Sequence, residues 1–235
     1  MNALLKKGLV ISVLAMSVNV AVAAESIDIK VTGKIVPTSC TPAFASGGGI
    51  ADYGTIKAVS LDSTTPTPLA DIKTIPITIT CEEATRVGIK FTDIRDSSSP
   101  DDTLPETFVS TDFAITPAFT FGLGMYNGVK IGAYALGIDK GLGKATNGAG
   151  TTLYPMGSKD NGASWFTRGV GYMQISSDNS EIFTFAESKT TGLPSPETKF
   201  NFNVGVAAMI NPTNDLKITD EVVLDGLTTV ELVYL

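Results

Sequence analysis

The sequence predicts an all-β domain of the β-sandwich class. Three observations carry this prediction: segments of alternating apolar and polar residues recur, glycine and proline number 23 and 12 among 235 residues, and no long apolar repeat has helical spacing. Period-two alternation is typical of strands with one face on a core, and Gly and Pro mark the turns between them. A hydrophobic content of 43% argues against a disordered chain.

The first 23 residues have the three parts of a secretory signal peptide. Lys6 and Lys7 precede a short apolar run that ends in small residues up to Ala23 and Ala24. The alternative is a membrane anchor, but a spanning helix needs about 20 apolar residues, and this run is shorter and contains polar side chains. We predict cleavage after Ala23, with Ala24 as second choice. Loss of two lysines takes the net charge from −7 to −9, and no transmembrane segment is expected to remain.

The next segment, residues 24–36, alternates apolar and polar side chains and is predicted as an extension or first strand. The positions on its apolar face are Ile27, Ile29, Val31, Gly33 and Ile35. Later strands are predicted at residues 75–80, 87–93, 200–208 and 222–235. A strand at 113–121 would be restricted to an edge or a bulge by Pro117. Asn127-Gly128, between the runs 121–126 and 129–136, predicts a β-hairpin.

The remaining segments are predicted as loops around one domain at residues 37–235. Residues 60–71, 96–105 and 137–162 are rich in Pro, Asp or Gly, and the last is interpreted as a long Gly-rich insertion. Short helical turns are expected near 104–108 or 216–220.

Composition excludes most catalytic chemistry. The chain has no histidine, which removes histidine-dependent nucleophiles, zinc sites and the usual general base. Its negative charge argues against nucleic acid as a partner. The run at residues 141–146 fails as a phosphate loop because Ala145 follows the lysine. Aspartates at 93–102 lack calcium-loop spacing and are interpreted as a solvated loop. We expect no enzyme activity, no cofactor and no metal.

Two cysteines in an exported protein most simply form one disulfide. Cys40 and Cys81 are 41 residues apart, and there is no Cys-x-x-Cys motif that would favour a redox pair. A structural disulfide is predicted.

Both ends of the mature sequence resemble subunits of chaperone–usher fimbriae (pilins). The similarity lies in SIDIKVTGKIVPTSC before the first cysteine, the second cysteine, and LVYL at the C-terminus. It covers about 70 residues, and residues 95–220 match only in their β-rich character. The mature chain is longer than a typical pilin, and Val222 stands where that family often has glycine, so the resemblance is to a divergent fimbria-like branch.

The resemblance implies an immunoglobulin-like sandwich that lacks its last strand and is completed by β-strand addition. A neighbouring subunit would donate Ile27, Ile29, Val31, Gly33 and Ile35, and a periplasmic chaperone would pair beside Val230, Leu232 and Tyr234. The implied partners are that chaperone, an outer-membrane usher and neighbouring fimbrial subunits. The implied location is the periplasm in transit and then the cell surface.

Two other classes of function stay open at this point. Residues 27–36 could complete the domain's own sheet, which would make the protein a stand-alone periplasmic or secreted binding module. Trp165, Phe166 and Tyr172 could then form a sugar platform, although packing of a glycine-rich loop is the simpler interpretation. A carboxylate-based glycosidase would need two carboxylates converging in a cleft.

Overall fold

A computed structural model of the protein describes residues 27–35, 38–101, 116–189 and 192–235. The chain divides into two units between residues 36 and 37, and each is described by itself. In the first unit, residues 27–35 belong to no helix or strand, although their alternation predicts a strand. The side chains of Ile27, Ile29, Val31 and Ile35 are all at least 89% exposed. The predicted signal peptide and the helical turn near 104–108 lie outside the described residues.

In the described part of the second unit, the regular secondary structure is almost entirely β-strand. These are β1 (Cys40–Phe44), β2 (Thr67–Pro68), β3 (Lys73–Thr85), β4 (Val87–Asp93), β5 (Phe121–Gly122), β6 (Met125–Tyr126), β7 (Val129–Lys130), β8 (Gly132–Asp139), β9 (Ala145–Asn147), β10 (Tyr154–Ser158), β11 (Tyr172–Gln174), β12 (Ile182–Ala186), β13 (Glu197–Ile210) and β14 (Thr228–Tyr234). One short helix, α1 (Thr213–Leu216), and 3₁₀ turns at Gly47–Gly49, Ala58–Ser60, Asp96–Ser98 and Pro117–Phe119 complete the described elements.

The strands form two antiparallel sheets and a small hairpin. The larger sheet has the order β1-β3-β13-β8-β11, with β2 and β9 also paired to β13 and β5 paired to β8. The smaller sheet has the order β10-β12-β4-β14, and β6 pairs with β7. Within the described chain, β1 and β14 each lie at the edge of a sheet. The prediction of an all-β sandwich is confirmed.

Part of the core is formed by alternate side chains of strands that the sequence pattern identifies, and β12, which it does not identify, adds Phe183 and Phe185. Ile75, Ile77 and Ile79 of β3 are buried, whereas the residues between them are more exposed. Phe185 of the smaller sheet packs on Phe202 of the larger sheet, with ring centres 4.9 Å apart. Burial of each such side chain contributes about 1.5–3 kcal/mol, so this contact helps to hold the sheets together.

The predicted disulfide is present. Cys40 lies directly opposite Cys81 in the β1–β3 pairing, and the two are bonded. Closing a loop of this length restricts the unfolded chain and contributes about 4 kcal/mol in the chain-entropy estimate. The bond therefore fixes the edge strand β1 to its neighbour.

A buried ion pair holds the loop between β10 and β11. Nη1 of Arg168 donates to Oε1 of Glu181 at 2.8 Å, and Nη2 donates to the other carboxylate oxygen and, at 2.7 Å, to the carbonyl of Gln174. The Arg168 and Glu181 side chains are 11% and 2% exposed. The guanidinium carbon lies 4.6 Å and 5.2 Å from the ring centres of Phe119 and Phe166. Both charges are therefore paired and largely shielded from water.

The Asp93 carboxylate joins the two sheets at one end. Its Oδ2 accepts the N–H of Gly122 on β5 at 2.7 Å, and its Oδ1 accepts the N–H of Arg95 at 2.8 Å. Desolvation raises the pKa of Asp93 despite these hydrogen bonds. Gly122 is packed so tightly that a Cβ would lie 2.1 Å from Ser98 Oγ. Glycine is required at this contact because any side chain would push β5 away from the 3₁₀ turn at Asp96–Ser98.

Several predicted boundaries are wrong. Residues 137–162 are not one Gly-rich loop, because β8 extends to Asp139 and β9 and β10 follow. Of the strand predicted at 113–121, residues 113–115 lie outside the described residues; the described part forms a 3₁₀ turn at Pro117–Phe119 and reaches a strand only at Phe121, since Pro117 cannot donate to a ladder. The last predicted strand begins at Thr228 rather than at 222, and the helical turn expected near 216–220 is α1, which ends at Leu216. No helix in the described residues is long and apolar enough to cross a membrane.

Candidate functional site

An apolar groove opens between the two edge strands β1 and β14. It has a volume of about 560 Å³ and takes lining residues from both sheets. Ile77 and Val206 line it from the larger sheet, Phe91 and Val230 from the smaller one, and Phe44 stands at the end of β1. A groove of this kind presents apolar surface to water beside unpaired backbone, so it is the candidate site.

The hydrogen-bond phase of β14 leaves one row of its backbone groups facing away from β4. The Leu235 N–H donates to the Arg86 carbonyl at 3.1 Å, and the Ile94 N–H donates to the Leu227 carbonyl at 2.9 Å. In the antiparallel register of this pair, odd-numbered residues of β14 therefore bond to β4. The residues whose N–H and C=O groups point outward are Thr228, Val230, Leu232 and Tyr234.

This row is unpaired in the described chain, because β14 pairs there with β4 alone. An unpaired edge is a template for another strand. The side chains alternate as well: Val230 and Leu232 pack against the core, whereas Glu231 between them is exposed. The predicted chaperone-binding residues thus lie on the free edge, and Val230 also lines the groove.

Where β14 begins, the lining of the groove packs closely against the larger sheet. A Cβ on Gly226 would lie 2.7 Å from the Tyr134 ring, so glycine permits this close approach. The Tyr134 hydroxyl and Thr228 Oγ1 are 2.6 Å apart and share a hydrogen bond. The Tyr134 ring stacks on Phe121 with centres 5.1 Å apart, and burial raises the pKa of Tyr134. These contacts fix where β14 begins.

The loop after β1 closes one end of the groove. Gly47, Gly48 and Gly49 all have positive φ, and the Phe44 ring lies so close to Gly49 that a Cβ there would be 2.5 Å from it. The chain then returns to Tyr53, whose hydroxyl donates to the Val206 carbonyl at 2.8 Å. Burial raises the pKa of Tyr53 to about 12. The phenol therefore stays protonated as a donor at neutral pH.

The other described sequence candidates do not line this groove. Among the described residues, no three His, Cys, Asp or Glu side chains are arranged to hold a metal ion. The Tyr172 ring lies where a Cβ on Gly205 would be 2.5 Å from it, and Phe166 is paired through its backbone to Gly157. These two aromatic side chains pack on glycines, as the simpler interpretation of the loop expects.

Sequence reasoning missed most of the groove lining. Residues of β8 and β13 and the segment 222–227 meet there, although they are distant in sequence. No local pattern marks them as neighbours. The signal that could be recognised was the alternation of Val230, Leu232 and Tyr234, which predicts a strand at these residues.

Comparisons with known proteins give three similarities. A family model described as "Protein of unknown function (DUF1120)" matches residues 29–135. The protein named "Uncharacterized protein YhcF" from Escherichia coli (strain K12) is 30% identical over 223 residues, which cover 89% of this chain and 90% of that protein. "Protein GltF" from the same organism is 27% identical over an alignment of 252 residues, which covers 98% of this chain and 99% of that protein.

Proposed function

The chain belongs to the family of YhcF, and we propose that it is a non-enzymatic, fimbria-like subunit that assembles by β-strand addition. In this proposal the groove beside β14 accepts a strand from residues 27–35 of a second copy. During export, a strand of a periplasmic chaperone occupies the same edge until an outer-membrane usher brings the next subunit. The Cys40–Cys81 disulfide supports an oxidising compartment.

The observation that carries the proposal is the free edge of β14 beside an apolar groove. Four outward residues offer both N–H and C=O groups for a new ladder, and apolar side chains lie next to them. Main-chain bonds supply affinity in strand addition, and pockets for alternate side chains supply specificity. A strand with one apolar face would satisfy both needs.

Residues 27–35 have the chemistry of such a strand. Their apolar side chains occupy alternate positions, and in the described chain Ile27, Ile29 and Val31 are 93%, 89% and 93% exposed. Burying each on a neighbour would contribute about 1.5–3 kcal/mol. A Cβ added to Gly33 would meet no atom beyond its chain neighbours within 4 Å, so packing in the described chain does not explain a glycine there. In the proposal Gly33 fits where a larger side chain would clash.

A head-to-tail contact of this type does not close on itself, so it extends into a fibre. The test compares the mature chain with Gly33→Leu, using Thr32→Leu as the matched control on the opposite face. Each is produced with and without a cognate periplasmic chaperone and analysed by size-exclusion chromatography. We expect multimers from the unaltered chain and the control, and chaperone complexes but no multimers from Gly33→Leu.

A stable monomer that forms neither multimers nor a chaperone complex would contradict the proposal. That outcome would instead indicate a stand-alone binding module. Multimers of unchanged size from Gly33→Leu would exclude Gly33 from the contact.

A further inference from the structure

The free edge of β1, across the groove from β14, is a poor partner for a new strand. The Glu82 N–H donates to the Ser39 carbonyl and the Ala45 N–H to the Pro76 carbonyl, at 3.0 Å and 2.9 Å. In the register of β1 with β3, odd-numbered residues therefore bond to β3 and even-numbered residues face outward. Because Pro42 has no N–H, its outward position offers no donor.

The outward N–H of Cys40 is already used. It donates to the hydroxyl of Tyr234 at 2.9 Å. Of the three outward positions on β1, Phe44 alone keeps an N–H without a hydrogen-bond partner in the described chain. On β14, none of the four outward positions is a proline. The two edges of the groove are thus unequal, and a new ladder can form on β14.

The Tyr234 side chain also occupies the gap between the edges. It extends from the last residue of β14 to the first residue of β1, which the disulfide ties to β3. A strand inserted between two others needs about 4.8 Å on each side, and the phenol ring stands in that space. Consistently, Phe44, Thr228 and Val230 line the groove, whereas Cys40 and Tyr234 do not.

We propose that Tyr234 is a stop that sets the register of a strand inserted beside β14. The strand pairs with β14 from Thr228 to Leu232 and ends at the Tyr234 ring, which the Cys40 N–H holds across the gap. Tyr234 is therefore a positioning residue for strand addition, and this inference rests on the proposed function. The occupant is a strand with alternating apolar side chains from a second copy of this chain.

Register matters because the groove accepts every second side chain of the inserted strand. A slip by one residue turns the apolar face outward, and a slip by two moves Gly33 away from its position. A stop at one end of the groove selects a single alignment. Without it, alignments that differ by two residues compete.

The test measures register by disulfide trapping. Glu231→Cys places a thiol on the exposed face of β14, outside the groove. Synthetic peptides of residues 24–37 carry one activated cysteine at Asp28, Lys30, Thr32 or Lys34, the positions that alternate with the apolar ones. In the otherwise unaltered mature chain we expect one peptide to react at least about tenfold faster than the others, because a slipped strand leaves an apolar side chain outside the groove.

Tyr234→Ala and Tyr234→Phe are then compared in the Glu231→Cys chain. Tyr234→Phe removes one oxygen and keeps the fold testable if Tyr234→Ala is unstable. In both Tyr234 variants we expect peptides with cysteine at two or more positions to react at similar rates. In Val233→Ala, which changes the other face of β14, we expect one peptide to remain the fastest. An unchanged single position in both Tyr234 variants would overturn the inference. No reaction at any position in the Glu231→Cys chain would instead overturn strand addition itself.

Discussion

Replacing Glu181 with Gln is expected to destabilise the domain by about 3–5 kcal/mol, the usual cost of removing one partner from a buried ion pair. The side chain is 2% exposed and Gln has nearly the same shape, so the change removes charge without opening a cavity. The Arg168 guanidinium would keep its place against Phe119 and Phe166 but lose its counter-charge. For a domain of this size, the midpoint of thermal unfolding should fall by about 6–20 °C.

The assay is urea unfolding, followed by tryptophan fluorescence and by far-UV circular dichroism. The chain has one tryptophan, Trp165, three residues from Arg168, so fluorescence reports on this loop and circular dichroism on the sheets. Lys159→Gln is the matched control. Its Nζ lies 3.5 Å from the same carboxylate but its side chain is 67% exposed, so its loss should cost less than about 1 kcal/mol.

A double replacement separates pairing from packing. Arg168→Met with Glu181→Leu removes both charges and keeps apolar volume, and such exchanges are often neutral or stabilising. It should therefore recover most of the stability lost in Glu181→Gln. If Glu181→Gln unfolds within about 1 kcal/mol of the unaltered chain, the claim that this pair holds the loop is refuted.

Three further outcomes are expected. Burial raises the pKa of Asp93, so its contribution to stability is full below the unfolded-chain pKa and declines as pH rises through the folded-state pKa. Hydrogen bonding to Ser164 lowers the pKa of Asp160 to about 2, so its contribution is present at neutral pH and lost as pH falls toward 2. The stability differences of Asp93→Asn and Asp160→Asn from the unaltered chain should change in opposite directions between pH 2 and 7 in urea unfolding, and parallel changes would refute this assignment. Gly122→Ala should lower the free energy of unfolding by about 1–3 kcal/mol through overpacking, measured by thermal unfolding. Gly33→Ala should change it by less than about 0.5 kcal/mol. Equal effects of the two variants would contradict the packing described around Gly122. Tyr53→Phe should lower the free energy of unfolding in urea by about 1 kcal/mol through loss of its hydrogen bond, and an unchanged midpoint would show that this bond contributes nothing.

The long strands could be predicted because local pattern and final environment agree. The β3 sequence alternates from Ile75 onward, and its apolar face is the one that is buried. The Asn127-Gly128 pair likewise forms the β6–β7 turn, with positive φ at both residues as that turn requires. In such segments the alternation of apolar and polar side chains determines which face of the strand packs on the core.

Other elements depend on contacts that no local pattern reveals. The β9 strand has three residues, and β10 contains both Pro155 and Gly157, so neither resembles a strand in isolation. The chain before β14 is held out of the ladder where Arg95 pairs with Asp225 at 2.8 Å. That contact joins residues 130 apart in sequence. Boundaries set in this way require the folded structure.

The candidate site was predicted in part for the same reason. Val230, Leu232 and Tyr234 could be placed on a terminal strand from their alternation. Which backbone groups of β14 face outward depends on the phase of its bonds to β4, and the inequality of the two edges depends on Pro42 and on the Tyr234–Cys40 contact. These are properties of pairing, which composition and periodicity do not encode.

Amide hydrogen exchange on β14 tests strand addition most directly. The mature chain is measured alone and with a saturating synthetic peptide of residues 24–37, using the same peptide with Asp at positions 29 and 31 as the control. We predict slower exchange at Val230 and Leu232 with the unaltered peptide, no change at Glu231, which already bonds to β4, and no effect of the control. Unchanged exchange at Val230 and Leu232 in the presence of the unaltered peptide would contradict the claim that β14 accepts a strand.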